Sequence, residues 1–138
     1  MSACHQYSFK KEERLCSRKL IDLLFSGKGS KSLAAFPLRA VYLEMPLQGE
    51  GRTEDGQVKI LISVPKKHLR RAVERNRVKR QIREAYRKNK HLLYERLSEV
   101  NEKQLLIAFI WITNKINPTE QVERQLINLL QRMSERLE

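Results

Sequence analysis

One stretch of this chain, from Lys66 to Lys90, concentrates most of its net positive charge. It contains twelve Lys or Arg residues and only two acids, Glu74 and Glu84, an excess of ten positive charges. The whole chain of 138 residues carries a formal net charge of +12. Two acids cannot neutralise twelve bases, so we expect this segment to lie on a surface that binds a polyanion.

The same stretch has the apolar periodicity of an α-helix, which predicts one long helix from Ala72 to Leu97. Its apolar side carries Val78, Ile82, Ala85, Leu92 and Leu93, with Tyr86 at the edge. The opposite side carries Asn76, Lys79, Arg80, Arg83, Arg87 and Lys90, flanked by Arg77 and Lys88. We therefore expect one stripe to pack on a core and the other to form a basic face.

This basic face predicts RNA binding. Guanidinium groups fork onto phosphate oxygens and stay charged at physiological pH. Spacings of three and four residues place these side chains on adjacent turns, and the amide of Asn76 suits a ribose 2′-hydroxyl or a base edge. The alternative is a solvated helix with internal salt bridges, which would require more interleaved acids than this segment has.

The remaining pattern predicts a single α+β domain, an α/β sandwich in which three helices pack on a mixed sheet of three to four strands. The predicted strands are Phe36–Glu44, Val58–Val64 and a central Lys103–Thr113. A helix capped by Ser17 runs to Phe25, and another begins at Asn117 and ends near Leu137. Residues 1–14 are expected to form a loose basic arm, and residues 48–57 a mobile hairpin loop.

No catalytic constellation is visible in the sequence. The acids are scattered, and the serines lack a His and Asp context. Cys4 and Cys16 are expected to be free thiols because their spacing fits no zinc site. With no apolar run near ~20 residues and no signal peptide, we expect a cytoplasmic chain without membrane contact.

Aromatic residues suggest a second RNA-binding feature. Phe25 ends the first helix, and Tyr42 lies on the first predicted strand with Arg39 on the opposite face. Single-stranded RNA stacks its bases on aromatic rings in basic grooves, so these three residues are candidates for such a cleft. Core packing is the competing interpretation for each ring.

The chain resembles the protein subunit of bacterial ribonuclease P. The resemblance rests on Val64-Pro65-Lys66-Lys67 and on the run from Ala72 to Tyr86, which contains Arg75-Asn76-Arg77. Many members have a glycine between the Lys-Lys pair and the helix. Here the link reads His68-Leu69-Arg70-Arg71, one residue longer.

The resemblance implies a fold with a left-handed βαβ crossover and a fourth strand, which the sequence pattern does not place. It also implies a partner, the catalytic RNA of ribonuclease P, in a one-to-one complex that removes the 5′ leader of precursor tRNA. Magnesium is expected in that holoenzyme and no cofactor on the protein alone, with the catalytic groups on the RNA. The resemblance also implies a leader cleft with an aromatic at Phe25, to which the strand pattern adds Arg39 and Tyr42. The implied RNA contacts are Lys66, Lys67, Arg75, Asn76, Arg77, Lys79, Arg80, Arg83 and Arg87.

Two other functions fit the composition. A ribosomal or ribosome-assembly protein would be equally basic, but the Arg75-Asn76-Arg77 motif favours the ribonuclease P subunit. A DNA-binding regulator would need a partner helix just before the basic helix, and a strand ending at Pro65 occupies that place instead.

Overall fold

The computed structural model of the protein describes residues 14–27, 29–46, 58–99 and 103–136. The predicted arm, except for Arg14, and the predicted hairpin loop lie outside these ranges. The described ranges contain four strands: β1 Lys31–Ala35, β2 Leu38–Pro46, β3 Val58–Ser63 and β4 Lys103–Trp111. They also contain four helices: α1 Arg18–Phe25, α2 Ala72–Asn89, α3 His91–Glu99 and α4 Thr119–Arg136.

The strands form one mixed sheet in the order β1-β2-β4-β3. The β1–β2 and β2–β4 pairs are antiparallel, whereas β3 and β4 are parallel and are joined through α2 and α3. This confirms the predicted α+β fold with a mixed sheet and a central β4. The fourth strand is β1, and Phe36 and Pro37 form the turn between β1 and β2 instead of beginning the second strand. The left-handed crossover stays a prediction.

Both faces of the sheet are covered, so β4 is buried on both sides. Leu105, Ile107, Phe109 and Trp111 face the core beneath α2, α3 and α4. Leu106 and Ala108 face a smaller cluster beneath α1. This explains why the β4 sequence is almost continuously apolar, as is typical of strands buried on both faces.

The first helix begins where the sequence predicts. The Ser17 hydroxyl oxygen accepts a hydrogen bond from the N–H of Leu20 at 3.4 Å, which caps α1. Leu24 is fully buried, with Leu20 and Ile21 packed beside it. The helix is followed by Gly27, whose φ of 82° is accessible to glycine at little cost.

The prediction of one helix from Ala72 to Leu97 is wrong, since α2 ends at Asn89 and α3 begins at His91. Lys90 lies at this junction and is 3% exposed, so it does not belong to the basic face. Its ammonium nitrogen lies 5.6 Å from the ring centroid of Tyr94. A cation over an aromatic ring gains electrostatic stabilisation, which helps to accommodate this lysine inside the fold.

Tyr42 was predicted to line a cleft, and its location corrects that prediction. Its ring is 1% exposed and belongs to the core on the α2 side of the sheet. Arg39 and Phe25 lie on the other side, where α1 packs. Tyr42 cannot stack on a nucleotide from this position.

Substitutions at Tyr42 should change stability and leave RNA affinity unchanged. The buried hydroxyl has no hydrogen-bond partner among the described residues, so we expect Tyr42→Phe to keep or raise the free energy of unfolding. Tyr42→Ala should cost ~3–5 kcal/mol through the cavity it leaves. Chemical denaturation and an RNA-binding titration of both variants check this. Weakened RNA binding by a fully stable Tyr42→Phe variant would contradict the core assignment.

Candidate RNA interface

The basic helix is held on the sheet by its apolar stripe. Val78, Ile82 and Tyr86 are fully buried, and the ring of Tyr86 packs against Phe109 of β4 with centroids 6.0 Å apart. Beside this stripe, the Gln81 amide donates hydrogen bonds to the Thr119 hydroxyl at 2.9 Å and to the Asn117 carbonyl at 3.3 Å. The start of α4 therefore fixes one flank of α2.

The solvent side of α2 divides into two rows. Asn76, Lys79 and Arg83, spaced by three and four residues, form an edge row on the flank near β3. Arg77, Arg80, Glu84 and Lys88 form an outer row on the flank near α4. All of these side chains are exposed except Lys79 and Glu84, which are half-buried. Within the described ranges, none of the five cations at positions 77, 79, 80, 83 and 88 makes an ion pair or hydrogen bond.

Arg87 differs from these cations because it has an acidic partner. Its guanidinium donates hydrogen bonds to the Glu84 carboxylate, at 2.8 Å from Nη2 and 3.2 Å from Nε. This hydrogen bond lowers the pKa of Glu84 and raises that of Arg87. The pair reduces the charge that Arg87 presents to a phosphate, so its predicted RNA contact would have to compete with Glu84.

The turn from Pro65 to Arg71 carries the predicted contacts Lys66 and Lys67, and both side chains are exposed. The Pro65 carbonyl accepts hydrogen bonds from the N–H groups of His68 and Leu69. His68 Nδ1 also forms a 3.1 Å hydrogen bond with Asn114 Oδ1, after the end of β4. These contacts give the longer link a defined shape without a glycine.

Arg75 stabilises this turn from inside the helix. Its Nη1 donates hydrogen bonds to the carbonyls of Leu69, at 3.0 Å, and Arg70, at 2.7 Å. The side chain is half-buried. Because Nη1 is hydrogen-bonded to these carbonyls, we interpret Arg75 as a residue that positions the turn. The RNA contact of Arg75 stays a prediction.

A groove runs along the outer edge of β3, between α2 and the chain that leads into α1. It has a volume of about 290 Å³. We call it the edge groove, and its described lining residues are Arg14, Leu15, Cys16, Ile60, Leu61, Ile62 and Arg83. Sequence reasoning placed Arg14 in a loose arm, whereas the structure pairs it with Ile60 in a parallel β-bridge. No sequence pattern indicates that bridge.

The other predicted cleft residues lie on the α1 side of the sheet. Phe25 is 48% exposed, so its ring is available for stacking. The Arg39 side chain is exposed, and its Nε donates a 2.9 Å hydrogen bond to the Ser32 hydroxyl on β1. Arg39 lies opposite Ile110 in the β2–β4 register, beyond the part of this face that is buried beneath α1.

The described residues contain no group of three or more His, Cys, Asp or Glu side chains that could hold a metal ion. None of the described helices is long and apolar enough to cross a membrane.

Comparison with known proteins identifies the relatives of this chain. The family model for ribonuclease P matches residues 9–134. The ribonuclease P protein component of Porphyromonas gingivalis is 40% identical over 134 residues, which cover 97% of this chain and 92% of that protein. The same component of Chlorobium phaeobacteroides is 35% identical, over 94% of this chain and 90% of that protein. The solved ribonuclease P protein of Thermotoga maritima aligns with a TM-score of 0.61 at 25% identity, covering 87% of this chain and 96% of that chain.

Alanine substitutions at Arg75 and Arg77 should distinguish a residue that positions the turn from a residue that contacts RNA. Arg75→Ala removes two charge-assisted hydrogen bonds from a half-buried site, and we expect it to lower the free energy of unfolding by ~1–3 kcal/mol. Arg77→Ala should change stability by no more than about 0.5 kcal/mol. It should instead weaken RNA binding by ~1–3 kcal/mol. Denaturant unfolding and RNA titration of both variants test this, and an Arg75→Ala variant of unchanged stability would contradict it.

Proposed function

Because this chain belongs to the ribonuclease P protein family, we propose that the two basic rows of α2 are the surface by which it binds the ribonuclease P RNA. Family membership makes the chain the protein subunit of a ribonucleoprotein that processes tRNA. The observation that carries the assignment of the surface is the set of α2 cations without acidic partners among the described residues. Such cations gain free energy when they displace counterions from phosphates.

We further propose that the groups that cleave precursor tRNA belong to the RNA. The basic surface supports this division, because a field of this sign attracts phosphates and repels divalent cations. The proposal also places the magnesium of the holoenzyme on the RNA. In this proposal the protein positions the RNAs and screens their mutual repulsion.

The second proposed contact is the 5′ leader of precursor tRNA. Phe25 offers a half-exposed ring on α1, and Arg39 an exposed guanidinium on β2. Both lie on the face of the sheet opposite the α2 core. A single strand that crosses this face could stack one base on Phe25 and place a phosphate near Arg39.

The remaining parts of the proposal are a one-to-one complex with the RNA and a cytoplasmic location. The basic helix supports the stoichiometry, since its two rows lie side by side and can bind one RNA molecule. The match to the ribonuclease P family model rules against the alternative of a ribosomal or ribosome-assembly protein.

Reconstitution with the ribonuclease P RNA of the same organism tests the proposed function. We expect the protein to raise cleavage of precursor tRNA at low magnesium, and the free protein to cleave nothing at any magnesium concentration. Arg77→Ala and Arg80→Ala should each weaken holoenzyme assembly by ~1–3 kcal/mol without lowering the melting temperature. Cleavage by RNA-free protein, or normal assembly of both variants, would refute the corresponding part of the proposal.

Phe25 tests the leader contact. Phe25→Ala should weaken binding of precursor tRNA to the holoenzyme by ~1–3 kcal/mol, the value of one base–aromatic stack. Affinity for mature tRNA, which has no leader, should stay nearly unchanged. Equilibrium titrations with both tRNAs give the two values.

Two neighbours of Phe25 on α1 provide matched controls. Leu23 is also exposed but lies on the other flank of the helix, so Leu23→Ala should affect neither tRNA. Leu24 is fully buried, so Leu24→Ala should cost ~2–5 kcal/mol of stability. Equal losses for precursor and mature tRNA with Phe25→Ala would rule out the leader contact.

A further inference from the structure

The described residues cover only part of the outer edge of β3. Because β3 ends the sheet, every second residue points its N–H and C=O away from β4. The Ile60 carbonyl is one of these outward groups and accepts a 2.8 Å hydrogen bond from the N–H of Leu15. Two residues further on, Ile62 must point the same way, and no described residue makes a hydrogen bond to its outward groups.

The edge is open at Ile62 because the chain turns away just before reaching it. In a parallel pairing, Arg14 opposite Ile60 would place Cys16 opposite Ile62. Ser17 instead caps α1, and the helix carries the chain across the other face of the sheet.

Charged groups lie on both sides of this open edge. Arg83, on the edge row of α2, lines one wall of the edge groove, and Arg14 lines the other. Arg83 is exposed and makes no hydrogen bond with any described residue. None of the described lining residues is acidic, so the groove favours an anion.

We propose that the edge groove binds a ribose–phosphate backbone of RNA, with Ile62 at its centre. The guanidinium groups of Arg83 and Arg14 would hold phosphates, and the Ile62 N–H would donate to a phosphate oxygen. The Ile62 carbonyl would accept from a ribose 2′-hydroxyl, which DNA lacks. This deepens the proposed function: it assigns the edge row of α2 and the β3 edge to one RNA segment, and leaves the outer row to another part of the RNA surface.

An extended peptide is the other kind of ligand that can bind at a sheet edge. The positive charge of the groove favours RNA over a peptide. A peptide could pair with Ile62 by strand addition. It would, however, supply no anionic partner for the Arg83 guanidinium, unless it were itself acidic at that position. An RNA backbone supplies a negative charge at every nucleotide and both hydrogen-bonding partners for the peptide edge.

A pair of substitutions at Ile62 isolates the backbone contact. Proline removes the outward N–H and is tolerated on edge strands where that N–H is not part of the ladder. Ile62→Ala shortens the same side chain and keeps the N–H. In the reconstituted complex with ribonuclease P RNA, we expect Ile62→Pro to bind the RNA roughly threefold to tenfold more weakly than Ile62→Ala, as for one lost hydrogen bond. Melting temperatures of both variants show whether Ile62→Pro is folded.

Should Ile62→Pro fail to fold, Arg83 provides the second measurement. We expect Arg83→Gln to lower affinity roughly tenfold and to reduce the magnitude of the log–log salt slope by about one, as for one lost phosphate contact. Arg80→Gln, on the outer row, should lower affinity by a similar amount, because Arg80 is also a proposed RNA contact. The position of RNA cleavage from Cys16 therefore distinguishes the two rows.

Cys16 reports directly on what occupies the groove. In a Cys4→Ser background it is the single thiol of the chain, and it is exposed at the groove wall. An iron chelate tethered to Cys16 should cleave the ribonuclease P RNA at a small set of sites. Arg83→Gln should weaken this cleavage at RNA concentrations that saturate the variant, whereas Arg80→Gln should leave the pattern unchanged.

Three outcomes would overturn the proposal: equal RNA affinity of folded Ile62→Pro and Ile62→Ala, no RNA cleavage from Cys16, or a change in oligomeric state with Ile62→Pro. The last would show that a second protein chain pairs with this edge. If the wild-type chain still stimulates precursor-tRNA cleavage in those cases, only the groove assignment fails. If the wild-type chain does not stimulate cleavage, the proposed function itself fails.

Discussion

The contact between the apolar stripe of α2 and the sheet is the constraint on which the rest of the structure depends. Lys79, Arg83 and Arg87 follow one another at intervals of four residues, and like charges at this spacing destabilise a helix by a few tenths of a kcal/mol per pair. Burying one large apolar side chain, such as Val78 or Ile82, contributes ~1.5–3 kcal/mol. The stripe therefore outweighs the repulsion, and the helix can display a basic surface that would not be stable alone.

The same contact sets the geometry of the interface. Gln81 anchors one flank of α2 at the start of α4, and Arg75 ties the preceding turn to the first turns of the helix. The buried stripe and the Gln81 contact together fix the rotation of α2 on the sheet. That rotation directs the edge row towards β3 and the outer row towards α4, and so divides one basic helix into two surfaces.

An open sheet edge is usually protected because it can pair with another chain. Here the bridge between Arg14 and Ile60 covers part of the β3 edge, and the two flanking arginines disfavour a second copy of this basic chain. Such a surface repels other copies of this chain and attracts phosphate groups, which suits a protein whose partner is RNA. The like charges also destabilise the free protein, and bound RNA relieves that repulsion.

Much of the local structure follows from the sequence. The stripe of Val78 and Ile82, the cap at Ser17 and the apolar run of β4 each reflect a short-range pattern with one dominant physical solution. The basic face is equally local, because spacing along a helix determines which side chains share a side. These features made the α+β class and the polyanionic partner predictable, and they show which candidate contacts share one side of the helix.

Tertiary contacts decided the rest. Tyr42 and Phe25 are both aromatic, yet Tyr42 is buried and Phe25 is half-exposed. They differ because the two faces of the sheet pack against different helices. Arg75 has the same charge as Arg77, but only Arg75 reaches the carbonyls of the preceding turn. The edge groove joins Arg14 and Arg83, which are distant along the chain.

The sequence by itself determined which residues carry charge and which are apolar, since those are properties of single side chains and their spacing. Only the packed structure decided which of them are accessible and which meet, because burial and proximity depend on elements far apart in the chain.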